Sequence, residues 1–253
     1  MERKSIYVAF SNQKGGVGKS AFTTLAASFL HYEGKRNVVI IDCDFPQHSI
    51  FAMRERDKSM VCSNDVYKEM MVNQFETIGK KAYPVYKTKV DEAIRMADKL
   101  VTTSPEPVDV VFFDLPGTVN SPGMLQTVVS LDYVFCPIIT DRFVMQSSLT
   151  FATTMGDFLK KNPVAPLKNI YLFWNQLVKS ENKDVYESYM SVISSLNLSL
   201  LQTEIPFTVK YKREMSPSSR QVFRSTLFPP DKMLIKGTNL DLLVNEICQI
   251  INI

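Results

Sequence analysis

Phe10-Ser11-Asn12-Gln13-Lys14-Gly15-Gly16-Val17-Gly18-Lys19-Ser20 decides how the rest of this 253-residue chain is read. An apolar run, Ile6–Phe10, precedes it, and Ala21 to Tyr32 follows with the pattern of a helix. Glycines let the backbone take positive φ and bring N–H groups against anionic oxygens. A helix opening at Gly18 or Lys19 would aim its dipole at the same point. Lys19 can reach terminal phosphates, and the Ser20 hydroxyl suits Mg²⁺. Together, strand, glycine loop, lysine and helix imply a site for a nucleoside triphosphate.

Lys14 adds a second lysine that a single site within one subunit does not require. The stretch Asn12–Lys19 resembles, without a gap, the deviant Walker A motif of the ParA/MinD family of dimerising ATPases. The resemblance implies a P-loop NTPase with ATP and Mg²⁺ as cofactors. It also implies a homodimer formed on ATP binding, in which Lys14 reaches across to the other copy's phosphates. Gly15, Gly16, Val17, Gly18, Lys19, Ser20 and Ala21 are the expected phosphate-binding positions. Ala21 departs from the family pattern, which often has a second hydroxyl there; one α-phosphate contact is lost and the backbone N–H remains.

Hydrophobic residues make up 45% of the chain and charged residues 22%, ordinary for a globular protein, and one domain over 1–253 is the expectation. The net charge of +3 is too small to identify a nucleic-acid binder, so any basic surface has to be argued locally. Cys43, Cys62, Cys136 and Cys248 lack metal-ligand spacing and read as free thiols, two of them within apolar runs. No apolar stretch is long enough to cross a bilayer, which points to a cytoplasmic protein.

Short apolar runs alternate with helical patterns, the sign of a mostly parallel twisted sheet with helices on both faces, an α/β fold. Expected strands are Ile6–Phe10, Val38–Asp42, Val108–Asp114, Tyr133–Ile139, Ile170–Trp174 and Leu200–Ile205. Residues 43–107 are the least decodable, with helical pieces at Met53–Lys58 and Val90–Leu100 and a basic stretch from Gly79 to Lys89. Leu240, Leu243, Val244, Ile247 and Ile251 share one face of a C-terminal amphipathic helix.

Val108-Asp109-Val110-Val111-Phe112-Phe113-Asp114-Leu115-Pro116-Gly117 is an apolar strand ending in a carboxylate, the shape of a Walker B element. Asp114 would hold the Mg²⁺ shell through water, and Gly117 could offer its N–H to the γ-phosphate. Ile41-Asp42-Cys43-Asp44-Phe45-Pro46-Gln47 resembles the family's D-x-D-P-Q signature, with Phe45 as an extra residue. By that resemblance the two carboxylates divide the work: Asp44 positions the attacking water and Asp42 supports the Mg²⁺ shell. Asn175 matches the family's adenine-reading asparagine, and Glu204-Ile205-Pro206-Phe207 matches the loop lining the other side of the base, with Pro206 and Phe207 in contact. His31 and His48 are isolated and read as packing or surface residues.

Lys210, Lys212, Arg213, Arg220 and Arg224 set five cations against one acid, Glu214, and form the expected DNA-contacting surface; the Lys80–Lys89 stretch competes for that role. The strings Lys80–Pro84, Phe112–Ser121 and Phe223–Pro229 look like the conjugal-transfer, TraA-type branch. The implied function is an ATP-dependent dimerisation switch that binds DNA non-specifically in partition or transfer, with an unidentified partner stimulating hydrolysis. A MinD-like membrane-surface ATPase is the alternative. It needs a basic amphipathic terminus, and the last 17 residues contain no Lys or Arg. An electron-transfer ATPase lacks its cysteine neighbourhoods, and a non-hydrolysing scaffold would not need Asp42, Asp44 and Asp114.

Overall fold

Seven parallel strands in the order β3-β2-β4-β1-β5-β6-β7 form the centre of the molecule. They are β1 (Ile6–Phe10), β2 (Val38–Asp42), β3 (Val85–Lys87), β4 (Val110–Asp114), β5 (Tyr133–Ile138), β6 (Asn169–Trp174) and β7 (Ser199–Leu200). The computed structural model describes residues 5–117, 123–178 and 183–253. Residues 118–121 of the Phe112–Ser121 string lie outside them.

The inner strands are buried along their whole length because both faces of the sheet are covered, and they are apolar up to the aspartates that close β2 and β4. On one face, Phe10, Phe112, Phe135 and Phe173 pack with Phe22 and Leu25 of α1 (Lys19–Tyr32). Leu240, Leu243, Val244, Ile247 and Ile251 of the last helix, α9 (Leu240–Ile251), complete that layer as its periodicity requires. Phe22 meets Phe173 edge-on with ring centroids 5.1 Å apart. On the other face, α4 (Ala93–Thr103), α5 (Met124–Val129), α6 (Arg142–Lys161) and α7 (Lys183–Ser195) enclose Ala9, Ile41, Phe113, Val134 and the buried Trp174. Among the described residues no helix is long and apolar enough to cross a membrane.

The expected strand Leu200–Ile205 shortens to Ser199–Leu200; from there Leu201 and Ile205 donate single backbone bonds to β6 carbonyls rather than extending a ladder. The Val108–Asp114 strand begins two residues late, at Val110. Residues 43–107 hold more structure than their sequence suggests: α2 (Ser49–Ser63), α3 (Asp65–Ile78), edge strand β3 and α4. The Asn64 side chain caps α3 by accepting from Val66 and Tyr67 N–H, and Gly79 ends it with φ near +66°.

The Lys80–Pro84 and Phe223–Pro229 strings meet in a buried polar network. Asp57 of α2 accepts from the Ser225 hydroxyl at 2.9 Å and the Thr226 N–H at 2.7 Å. Arg54, one turn earlier, donates to the Tyr83 carbonyl at 2.7 Å and the Thr226 carbonyl at 2.9 Å. The Tyr83 hydroxyl shares a bond with Ser28 of α1. These strings therefore tie the C-terminal segment to α1 and α2. Buried polar groups joined this way specify one packing, since each lost partner leaves an uncompensated group.

Candidate nucleotide site

The loop from Ser11 to Gly18 lies beyond the C-terminal end of β1, the middle of the sheet and the usual place for a ligand in an open α/β fold. Asn12 anchors its start. The fully buried Asn12 amide donates to the Pro137 carbonyl at 2.7 Å and to Ser148 Oγ at 2.8 Å, and its oxygen accepts from Lys14 N–H at 3.1 Å. Gly16 and Gly18 have φ of +78° and +93°, and a Cβ on Gly18 would stand 3.1 Å from the Phe22 ring. Only glycine satisfies both demands at Gly18.

The two lysines of the loop behave differently. Lys19 is buried and its Nζ turns back to donate to the Lys14 carbonyl at 3.1 Å. Burial lowers its pKa, and the charges of Asp114 and Asp44 oppose that shift. Lys14 points outward and is exposed. A cleft of about 710 Å³ opens over the loop, with Gly15, Gly16, Lys19, Ser20 and Ala21 on one side and Asp44 and Gly117 on the other. A Cβ on Gly117 would stand 3.0 Å from Lys19 Nζ, which places the Gly117 backbone close to the lysine ammonium. Val17 is buried beneath the loop.

Asp114 and Asp42 lie side by side at the ends of paired strands β4 and β2. Asp114 is fully buried; its Oδ1 accepts from Ser20 Oγ at 3.0 Å, and its Oδ2 is buried with no hydrogen-bond partner. Burial, with the charges of Asp42 and Asp44, pushes its pKa up to about 8 against the pull of Ser20 and Lys19.

Asp42 departs from its expected place in a metal shell. Its Oδ2 accepts from Ile50 and Phe51 N–H, each at 3.0 Å, and its Oδ1 from Asp44 N–H at 3.2 Å. The bonds from Ile50 and Phe51 satisfy free donors at the N-terminus of α2, so this buried carboxylate caps a helix. Residues 42 and 44 would share a face if the strand continued, but β2 ends at Asp42 and Asp44 turns into the cleft. Burial raises the Asp44 pKa; the Lys19 charge lowers it and the Asp42 charge raises it further. Phe45, the extra residue, stands 61% exposed at the cleft's rim.

A second cavity of about 190 Å³ adjoins the first and is lined by Phe22, Asn175, Pro206, Phe207 and Tyr211. Asn175 follows β6; its amide donates to the Val17 carbonyl at 2.9 Å and its oxygen accepts from Gln176 N–H at 2.8 Å. One N–H and one lone pair remain for a base edge. The side chain thus links the base-sized cavity to the phosphate loop.

The expected DNA surface does not keep all five of its cations free. Lys212, Arg213 and Arg220 are exposed, while Lys210 donates through Nζ to the Lys236 carbonyl at 2.6 Å. Arg224 leaves that surface altogether: its guanidinium pairs with Glu214, and the residue lines both cavities. In the competing stretch, Lys80 donates to Asn37 Oδ1 at 2.8 Å and Lys87 sits over the Phe51 ring. His31 is buried against the Arg36 and Lys81 carbonyls, a packing residue as expected. Burial pushes the Cys136 thiol up to about 12 and the Cys43 thiol well up, which leaves both unreactive.

The sequence profile of the CobQ/CobB/MinD/ParA nucleotide binding domain matches residues 8–218. The chain belongs to this family. Among curated proteins none matches by sequence. Solved structures share the fold at low identity. McdA from Cyanothece, a variant in complex with ATP, superposes with a TM-score of 0.62 at 12% identity, covering 100% of this chain and 98% of McdA. A Borrelia burgdorferi protein named for plasmid partition and bound to AMPPNP gives 0.59 at 15% identity, covering 96% and 98%. Cobyrinic acid a,c-diamide synthase from Mycobacterium smegmatis, with ADP and magnesium, gives 0.55 at 18% identity, covering 81% and 87%.

Proposed function

We propose that this chain is an ATP-hydrolysing switch whose two copies close on one another when ATP is bound and part after hydrolysis. The division between an inward Lys19 and an outward Lys14 carries this reading. One lysine serves the phosphates of its own cleft, and the other is free to serve those of a second copy. The ATP, AMPPNP and ADP-with-magnesium complexes of the three neighbours support the choice of nucleotide. Lys14→Ala should therefore bind ATP nearly as well as wild type yet stay monomeric. Light scattering with ATP that found normal dimers of this variant would remove the cross-subunit role.

In this reading the loop N–H groups and Lys19 hold the β- and γ-phosphates, and Asn175, Pro206 and Phe207 bracket the base. Ser20 and Asp114 fit Mg²⁺: the hydroxyl bonds one oxygen of a carboxylate whose other oxygen is buried without a partner among the described residues. When bound, Mg²⁺ neutralises charge on the phosphate oxygens. Asp44 accepts a hydrogen bond from the attacking water and aligns it on the γ-phosphorus. The bond from that phosphorus to the β–γ bridging oxygen breaks, giving ADP and phosphate. In the same reading the Gly117 N–H donates to the γ-phosphate and so senses its presence.

Below about 8 the Asp114 carboxyl is protonated and neutral, and above it the carboxylate can hold a cation. The Mg²⁺-dependent part of ADP affinity should thus rise between about pH 6 and pH 8, and Asp114→Asn should flatten that rise. Calorimetry with and without Mg²⁺ checks it. The same raised value means that, without ligand, the stability gained from the neutral carboxyl is fully present below 3.8 and lost as pH rises through about 8.

For the cargo, we assign non-specific DNA to the exposed Lys212, Arg213 and Arg220 with Lys210 at their edge, in partition or conjugal transfer. Phosphate contacts of this kind release counterions. In a salt series with ATP, Arg213→Ala and Arg220→Ala should each reduce the slope of log affinity against log salt by about one. Unchanged slopes in both would move the DNA surface elsewhere.

A further inference from the structure

Arg224 stands where the two cavities join. Gly16, Gly18, Ala21 and Arg224 line both of them, so a nucleotide with its base by Asn175 and its terminal phosphates by Lys19 passes this seam with its first phosphate. Ala21 brings only a methyl and a backbone N–H to the seam. That N–H lies in the first turn of α1, where helix donors have no partner within the helix. Arg224 brings a planar cation from the opposite side, the C-terminal segment pinned by Ser225 and Thr226 to Asp57.

The guanidinium donates through Nε and one Nη to Glu214 Oε1, leaving the other Nη outside the pair. Glu214 Oε2 takes Arg56 of α2 at 2.7 Å. One carboxylate thus serves two guanidinium groups and keeps a partner if Arg224 turns to another anion. The Arg224 side chain is 24% exposed, enough to meet a ligand without leaving its segment.

Resting on the reading of this cleft as a nucleotide site, we propose that Arg224 binds the α-phosphate of the bound nucleotide. It supplies from the C-terminal segment the side-chain contact that Ala21 does not make. A guanidinium suits the task because its fork matches two phosphate oxygens and never loses its charge. The position of the C-terminal segment is thereby linked to occupation of the site.

ADP affinity, measured by calorimetry on the full chain without Mg²⁺, tests this. Arg224→Gln should bind ADP about tenfold more weakly, the effect of one charge-assisted contact. Glu214→Gln, which removes the competing carboxylate, should bind ADP more tightly than wild type. Ala21→Thr added to Arg224→Gln should recover part of the loss by restoring a hydroxyl at the seam. Unchanged affinity in Arg224→Gln overturns the proposal. So does a loss in Glu214→Gln as large as in Arg224→Gln, because the pair would then act only as structure. If Arg224→Gln does not fold, Glu214→Gln still decides by its sign. Lys19→Ala separates the two readings: if it alone loses ADP, the nucleotide site stands and the Arg224 contact fails, whereas ADP bound normally by Lys19→Ala removes the site itself.

Discussion

Lys19→Ala should lower ATP affinity by at least about a hundredfold, since two charge-assisted contacts to phosphate oxygens are lost and each contributes about 1.5–3 kcal/mol. The fold should survive. Among the described residues Lys19 Nζ makes one hydrogen bond, to the Lys14 carbonyl at the open loop, and burial works against its charge. Calorimetry with ATP together with a melting curve checks both parts. Wild-type affinity in a folded variant would mean the phosphates bind elsewhere.

Asp44→Ala should bind ATP and dimerise but hydrolyse about 10²- to 10⁴-fold more slowly, the range for loss of a group that aligns the nucleophile. Its side chain lines the cleft, where the Lys19 charge acts on it. Asp42→Ala should fail differently. It strips the acceptor from Ile50, Phe51 and Asp44 N–H groups, so its melting temperature should fall while any folded fraction keeps its turnover. Phosphate release and thermal melts on both variants separate the roles. A stable Asp42→Ala that traps the dimer, beside a normally active Asp44→Ala, would reverse the two assignments.

Much of this site is legible in the chain itself because its parts sit at the ends of apolar strands. Phe10, Asp42, Asp114 and Trp174 each close a run of buried residues, and chemistry-bearing residues follow at once. The α2–α3 hairpin is harder to read. Tyr67 is the one residue of α3 buried as deeply as the core, and β3 exposes Tyr86 and Lys87, so neither element has a clean period. Asp42 misleads for another reason: its task is set by a helix N-terminus folded against it, and spacing alone cannot distinguish a cap from a ligand. Arg224 misleads likewise. Among Lys212, Arg213 and Arg220 it reads as one more surface cation, and only the loop that returns Glu214 to it turns it toward the cleft. Asn12 carried a signal in hindsight, as a polar residue directly after an apolar strand and before the glycines, where an anchor is needed.

ATP should change the number of chains per particle. Light scattering of the wild-type protein, 28.8 kDa per chain, should give one chain with ADP and Mg²⁺ and two with ATP and Mg²⁺. The second mass should persist in Asp44→Ala and be absent in Lys14→Ala. A single mass in every nucleotide state of the wild-type protein, with ATP bound, would rule out an ATP-dependent dimer.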